Sequence, residues 1–397
     1  MTARRARLRP GAVAVVALVI VAAAIVATGV LPAADAEALG ARTAPVLGFV
    51  IAITIVAELA RHAAVFDVVA QHLARWGRGR VIALWAAVIL LAVVSTIFLS
   101  LDTTAVIVTP VVVLLAQGVG VSPLPFALAT VWLANTASLL LPVSNLTNLL
   151  AAPTIGSDPA AFLALSWAPA LAGVLVPVVI LTVANRRALF GTYPAPPQAQ
   201  PADRVLLLAS AAVLVALLPL LALVRDVWIP ATAAALILVV LFAFRRRRAL
   251  RLSLVPWQAL GLAAALFVIV EAAHVRGLAA LLSPLAATGH GPLELLRMAG
   301  LGALAANGID NLPAYLVLEP IASHDPVALM ALLIGVNLGP LVTPWASLAI
   351  LLWHHRITAL GLSVPWGRFA LWGLGGATAT VIAATLALAA VSGTAGS

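Results

Sequence analysis

Long apolar runs alternate with short polar breaks over nearly the whole chain. Runs with few or no charges cover 11–31, 44–60, 81–117, 125–150, 161–184, 205–224, 229–244, 257–273, 293–322, 326–352 and 369–391. An α-helix rises about 1.5 Å per residue, so about 20 residues cross a hydrocarbon core of about 30 Å. The pattern predicts an all-α polytopic membrane protein. A β-barrel would read as alternating segments of about ten residues, and none are present. Polar residues interrupt 81–117 and 293–322 at mid-run, which predicts two re-entrant hairpins beside about nine spanning helices. Pro142 and Pro344 interrupt 125–150 and 326–352. A proline there removes one backbone hydrogen bond and obstructs another, and lipid offers no substitute partner. Both runs are therefore expected to be spans broken at mid-membrane.

Composition agrees and narrows the function. Hydrophobic residues make up 64% of the 397 and charged ones 9%, against about a quarter charged in soluble domains. A soluble enzyme is excluded. Cysteine is absent, which removes disulfides, thiolate metal sites and redox chemistry; no metal or cofactor is expected. The formal charge of +9 comes from arginine with no lysine, and nucleic acid would be one partner for it. The arginines instead fall in short clusters between apolar runs, so no nucleic acid is expected. Treating the hairpins as returning to their own side places 18 of 22 arginines inside, with Arg42, Arg225, Arg276 and Arg297 outside. The N-terminus is then cytoplasmic and the C-terminus extracytoplasmic, in a multi-pass cell-membrane protein. The basic start before an apolar run also fits a secretory signal, but that run is long and no cleavage site precedes a polar domain, so it reads as the first span.

The chain is expected to be one transporter domain (1–397) made of a first repeat with its N-terminal span (1–188), a proline-rich cytoplasmic linker (189–203) and a second, inverted repeat (204–397). Residues 135–150 (NTASLLLPVSNLTNLL) align without a gap on 337–352 (NLGPLVTPWASLAILL), matching Asn135 with Asn337 and Pro142 with Pro344. Leucine matches mean little in so apolar a chain. The asparagine and proline at one spacing are more specific, and the order agrees in both halves: an intramembrane Glu (Glu58, Glu271), an acidic hairpin tip, then Asn with Pro seven residues on. Transporters built of inverted repeats place their site where broken helices meet.

The expected binding residues are Asn135, Thr136, Ser138, Ser144, Asn145 and Asn148 from the first half, and Asn307, Asn311, Asn337, Thr343 and Ser347 from the second. Any one such Ser, Thr or Asn is commonly only hydrogen-bonding glue between helices. Buried acids are different, because a charge at mid-membrane costs about 2.5–3.5 kcal/mol. Asp102 and Asp310 are therefore expected to be functional, and they are the acids that would carry a coupling proton for a neutral substrate. Glu58 and Glu271 sit near span ends beside Arg61 and His274/Arg276, where snorkelling or an ion pair accounts for them, and Glu319 is given no role. His354 and His355 read as interfacial, and the tryptophans mostly as an aromatic belt. No Walker A motif, zinc-helix motif or nucleophile elbow is present.

The stretches 135–150 and 101–110 (LDTTAVIVTP) resemble the arsenite/antimonite efflux permeases of the ion transporter superfamily, which also holds dicarboxylate and citrate carriers and sodium/proton antiporters. Residues 307–313 (NGIDNLP), 337–353 and 364–367 (VPWG) are similar to the second-half motifs, and the resemblance spans roughly 44–391. It implies hairpins entering from opposite sides, with substrate between their tips and the two broken helices. Two departures stand out. The first tip reads Leu101-Asp102-Thr103 where Asn-Asp is usual, and the first half has one helix fewer before its hairpin.

No arginine lies in either tip or in the expected broken helices, so a dicarboxylate would lack its usual charged fork. A neutral oxyacid such as arsenous acid suits amides and hydroxyls. The expectation is a secondary transporter, not an enzyme, exporting arsenite or antimonite as the neutral hydroxide in exchange for protons. A cytosolic ATPase subunit and a homodimer stay open as partners beside membrane lipid. The alternatives are a sodium/proton antiporter or organic-anion carrier of the same architecture, and a structural membrane protein without transport.

Overall fold

The computed structural model describes residues 10–156, 159–194, 203–286 and 289–394. It is all-helical, and eight of its helices are long and apolar enough to cross a membrane. The first group in the chain is α1 (Pro10–Ala27), α2 (Ala33–His62), α3 (Val65–Trp76), α4 (Val81–Leu99) and α5 (Leu101–Gly118). Then come α6 (Pro123–Thr136), α7 (Leu146–Ile155) and α8 (Pro159–Ala184). The second half holds α9 (Arg204–Leu223), α10 (Trp228–Arg245), α11 (Trp257–Val275), α12 (Pro292–Ile309) and α13 (Asn311–Leu318). It ends with α14 (Pro326–Leu338), α15 (Leu348–Ala359) and α16 (Trp366–Thr394).

Each expected apolar run finds its helix, with two corrections. The run expected over 44–60 is a helix of 30 residues that starts at Ala33, because alanines and Leu39 carry the helix through Asp35, Glu37 and Arg42. Helix α3 was not expected. It is amphipathic, with Phe66, Ala70 and Ala74 buried at a spacing of four, and so leaves no long apolar run to detect.

Both hairpins turn within one residue. Ser100 (φ 90, ψ 161) separates α4 from α5, and Asp310 (φ 86, ψ 152) separates α12 from α13. In both cases the turning side chain caps the helix that follows: Ser100 accepts from the Thr103 amide and Asp310 from the Leu312 amide. The first hairpin reverses sharply, since the Thr104 hydroxyl lies 2.9 Å from that of Thr96 and 3.1 Å from that of Ser95. In a continuous helix those residues would stand about 12 Å apart. A π-helical segment, Thr104–Val108, follows the first turn.

Both expected breaks are present. Helix ends at Thr136 and resumes at Leu146 in the first, and ends at Leu338 and resumes at Leu348 in the second. The residue before each restart has the same extended backbone, Asn145 at φ −149, ψ 147 and Ser347 at φ −150, ψ 148.

Packing sorts the helices into two groups. Helices α1, α2, α9, α10 and α11 pack chiefly on one another, while the hairpins, broken helices, α8 and α16 form the other group. Trp85, Trp132 and Trp353 belong to the core and not to an aromatic belt, whereas Trp76, Trp167 and Trp257 are exposed. Of the expected linker, Tyr193 is tucked in, its hydroxyl donating to the Ala74 carbonyl and its amide to Gly79. Residues 195–202 of the linker lie outside the described residues, as do Arg4, Arg5, Arg7 and Arg9.

Candidate functional site

The largest cavity described lies between the two helix groups and has a volume of about 820 Å³. One wall is α2, α11 and the turn before α11. The other is built from both hairpin tips, the restart of the first broken helix and α15. Asp102, Asp310, Asn145 and Asn311 face it, so both tip acids reach one space. The rigid turns explain this placement. Asp310 sits on the reversing residue itself, whereas Asp102 lies two residues past its counterpart Ser100, so the two acids are not equivalent positions. One Asp102 carboxyl oxygen is buried without a hydrogen-bond partner.

The other expected residues lie behind this wall, and six of them hold it: Ser138, Ser144, Asn148, Asn307, Asn337 and Thr343. Asn337 accepts from the Asn145 amide (2.9 Å) and the Thr147 hydroxyl (2.7 Å) and donates to Asn148 (2.7 Å), tying the two broken helices together. Asn148 also donates to the carbonyls of Ser138 and Leu141 inside the first break. Ser138 bonds the Asn135 carbonyl, and Ser144 donates to the Ile97 carbonyl on hairpin arm α4. In the second half Asn307 plays the holding part. Its side-chain oxygen accepts from the amides of Val342 and Thr343, its amide donates to Gly339, and its own carbonyl accepts from the Thr343 hydroxyl. Asn135, Thr136 and Ser347 are buried, and each has a side-chain oxygen without a partner.

Two residues change the sequence-based picture. Arg356 lines the cavity. It belongs to α15, which runs past the apolar segment to Ala359, so the expectation of a broken helix free of arginine does not hold. Glu58 lines the same cavity and pairs with Arg61 at 2.6 Å, as expected of a span-end acid. Glu319, given no role above, is buried, pairs with Arg42 and accepts from Tyr315. No ion pair joins Glu271 to Arg276 among the described residues. His354 stacks on Trp366 with ring centroids 4.2 Å apart.

Broken helices, single-residue hairpin turns and an acid-lined cavity are the parts of a carrier, and the comparisons agree. The model of the citrate transporter family (CitMHS) matches residues 8–325. The chain belongs to this family. Among its relatives, the arsenical pump membrane protein of Escherichia coli is 29% identical over 352 residues, covering 80% of each chain. The putative arsenical pump membrane protein of Bacillus subtilis is 25% identical over 344 residues, covering 76% of this chain and 77% of its own. Among solved structures, the YdaH transporter of Alcanivorax borkumensis superposes with a TM-score of 0.60 at 16% identity, over 98% of this chain and 99% of the other. That likeness concerns the fold. The chain is thus a multi-pass membrane transporter and not an enzyme.

Proposed function

We propose that the protein exports arsenite or antimonite as the neutral trihydroxide in exchange for protons across the cell membrane. The observation that carries this reading is the meeting of Asp102 and Asp310 in one cavity with the amides of Asn145 and Asn311. Two acids at the tips would repel a multiply charged anion, while a small neutral oxyacid finds a donor in the Asn311 amide and acceptors in the Asn145 and Asn311 oxygens, the Asn145 NH2 being engaged by Asn337 and Ser138. The arsenical-pump relatives support the same substrate. A neutral solute draws nothing from the membrane potential, so accumulation needs a coupled charge; an entering proton supplies about 2.3 kcal/mol per 100 mV. Asp102 or Asp310 carries it.

The binding set narrows to Asp102, Asn145, Asp310 and Asn311. Ser138, Ser144, Asn148, Asn307, Asn337 and Thr343 act by holding the breaks, while Asn135, Thr136 and Ser347 are buried beside the breaks without tying them. The two halves, 1–188 and 204–397, are inverted repeats, with the arginine-rich face, including Arg61 and Arg246, in the cytoplasm. A tag after Arg5 is expected inside and one after Ser397 outside; an outward-facing N-terminus would overturn this orientation.

Arsenite uptake into inverted vesicles under an imposed pH gradient tests the function. Asp102→Asn or Asp310→Asn is expected to abolish accumulation while downhill exchange persists. Intact accumulation in both variants would remove the coupling role. Arg356 favours a second reading, a carboxylate carrier, and uptake of citrate that Arg356→Gln abolishes would put that reading in place of the first.

A further inference from the structure

A second cavity, of about 280 Å³, lies at the far end of hairpin arm α13 from Asp310. It gathers Arg42 from α2, Glu271 and His274 from α11, and Glu319 just past α13. Glu319 is 7% exposed and receives both the Arg42 guanidinium and the Tyr315 hydroxyl, the latter at 3.0 Å. The His274 Nε2 lies 3.0 Å from the Leu316 carbonyl, which can only accept, so Nε2 carries the hydrogen. The Nδ1 is buried with no partner. Asp325, on the turn beyond, is engaged by His290 and does not line this space.

A purely structural ion pair needs two groups. Here a second carboxylate and an unsatisfied imidazole nitrogen share the space, and a buried carboxylate beside the half-exposed Arg42 gains little stability from the pair because desolvation offsets the attraction. The location is also specific. Arg42 stands on α2, in one helix group, and Glu319 ends the hairpin arm in the other, so the pair clasps the two groups on either side of the main cavity. Asn311, Tyr315 and Glu319 follow one another at a spacing of four, so one stripe runs about 12 Å along the arm from the main cavity to the second.

We propose that Glu319, with Arg42, Glu271, His274 and Tyr315 around it, is a second proton-binding site, and that taking up a proton there opens the clasp between α2 and the second hairpin. The proton comes from water on the Arg42 side and converts the Glu319 carboxylate to the neutral acid. Arg42 loses its counter-charge and turns to water, and return of the proton to water closes the clasp again. This rests on proton-coupled transport as proposed above, and it gives the coupling a mechanical handle distinct from Asp102 and Asp310.

The absence of cysteine allows a test that does not depend on transport. Ser323 lines the second cavity, and Ser323→Cys can be labelled by a membrane-impermeant maleimide in proteoliposomes. Glu319→Gln, a permanently neutral form, and Arg42→Gln, which removes the other partner, are each expected to raise the labelling rate about tenfold. In parallel, arsenite counterflow by Glu319→Gln should lose its response to pH on the Arg42 side and keep its response on the Arg356 side. Unchanged labelling in both variants, or a retained Arg42-side pH response in Glu319→Gln, overturns the proposal. If the unmodified protein moves no arsenite while the labelling behaves as expected, the substrate reading fails and the clasp stands.

Discussion

The two breaks share a backbone and differ in who satisfies it. The first break supplies most of its own partners: Asn148 bonds the Ser138 and Leu141 carbonyls, and Ser144 reaches the hairpin at Ile97, while Ser166 of α8 adds one bond from outside to the Leu140 carbonyl. The second has Ala346, Ala349 and Ile350 at the positions of Ser144, Thr147 and Asn148, and so depends on a residue from outside, Asn307 of its hairpin. One contact survives in both. The carbonyl three residues before each hairpin turn, Ile97 or Asn307, accepts a hydroxyl from the break, Ser144 or Thr343. Two breaks of one backbone shape thus make the same demand, since exposed amides and carbonyls need partners inside a membrane, while the side chains meeting that demand come from different elements. The consequence for function is that the second hairpin and second break are joined through several bonds of Asn307, while the first hairpin reaches its break through Ser144 and the helix before the break through the Thr109 to Thr130 hydroxyl contact.

The largest expected effect is common to both breaks. Gly173 of α8 lies against the Thr136 carbonyl and Gly373 of α16 against that of Leu341, so a side chain at either position must push backbone aside. Gly173→Ala and Gly373→Ala are each expected to destabilise by about 3 kcal/mol in thermal unfolding in detergent; a large difference between them would show that only one break is tightly backed. The next effects separate the breaks. Asn337→Ala removes three hydrogen bonds, worth about 0.6 kcal/mol apiece in a membrane protein and so about 2 kcal/mol together. Its counterpart Asn135→Ala removes only a bond to Val131 in its own helix and should change stability by less than about 0.5 kcal/mol. Equal losses would restore the symmetric role that sequence matching assigns to both. Asn307→Ala should cost about 2 kcal/mol and impair transport, whereas Ser144→Ala should cost about 1 kcal/mol. If Ser144→Ala proves the more damaging, the first hairpin is the more tightly held. The smallest effect is expected of Leu351→Ala, at a half-exposed position of α15, which should leave arsenite accumulation within about twofold of the parent.

The span pattern, both hairpins and both breaks were legible in the linear chain because each has a local cause. Apolar length decides whether a helix crosses, and Pro142 or Pro344 interrupts the helical hydrogen bonds wherever the segment is later packed. The matched asparagines were legible too, as a spacing. Their separate duties were not, because the partners lie far along the chain: Asn337 meets Asn145, Thr147 and Asn148 about 190 residues away. Arg356 was misplaced for a related reason. An apolar-run search stops at the first polar residue, while α15 continues through His354 and His355 to Ala359. Glu319 looked idle because Arg42, 277 residues earlier, is the group that makes its burial tolerable. Composition and periodicity therefore determined that this chain is a helical membrane carrier with paired broken elements, since bilayer solvation acts on each segment by itself. Tertiary packing alone decided which polar groups face the cavity and which merely hold its wall, because a hydrogen bond's value depends on the partner that folding brings to it.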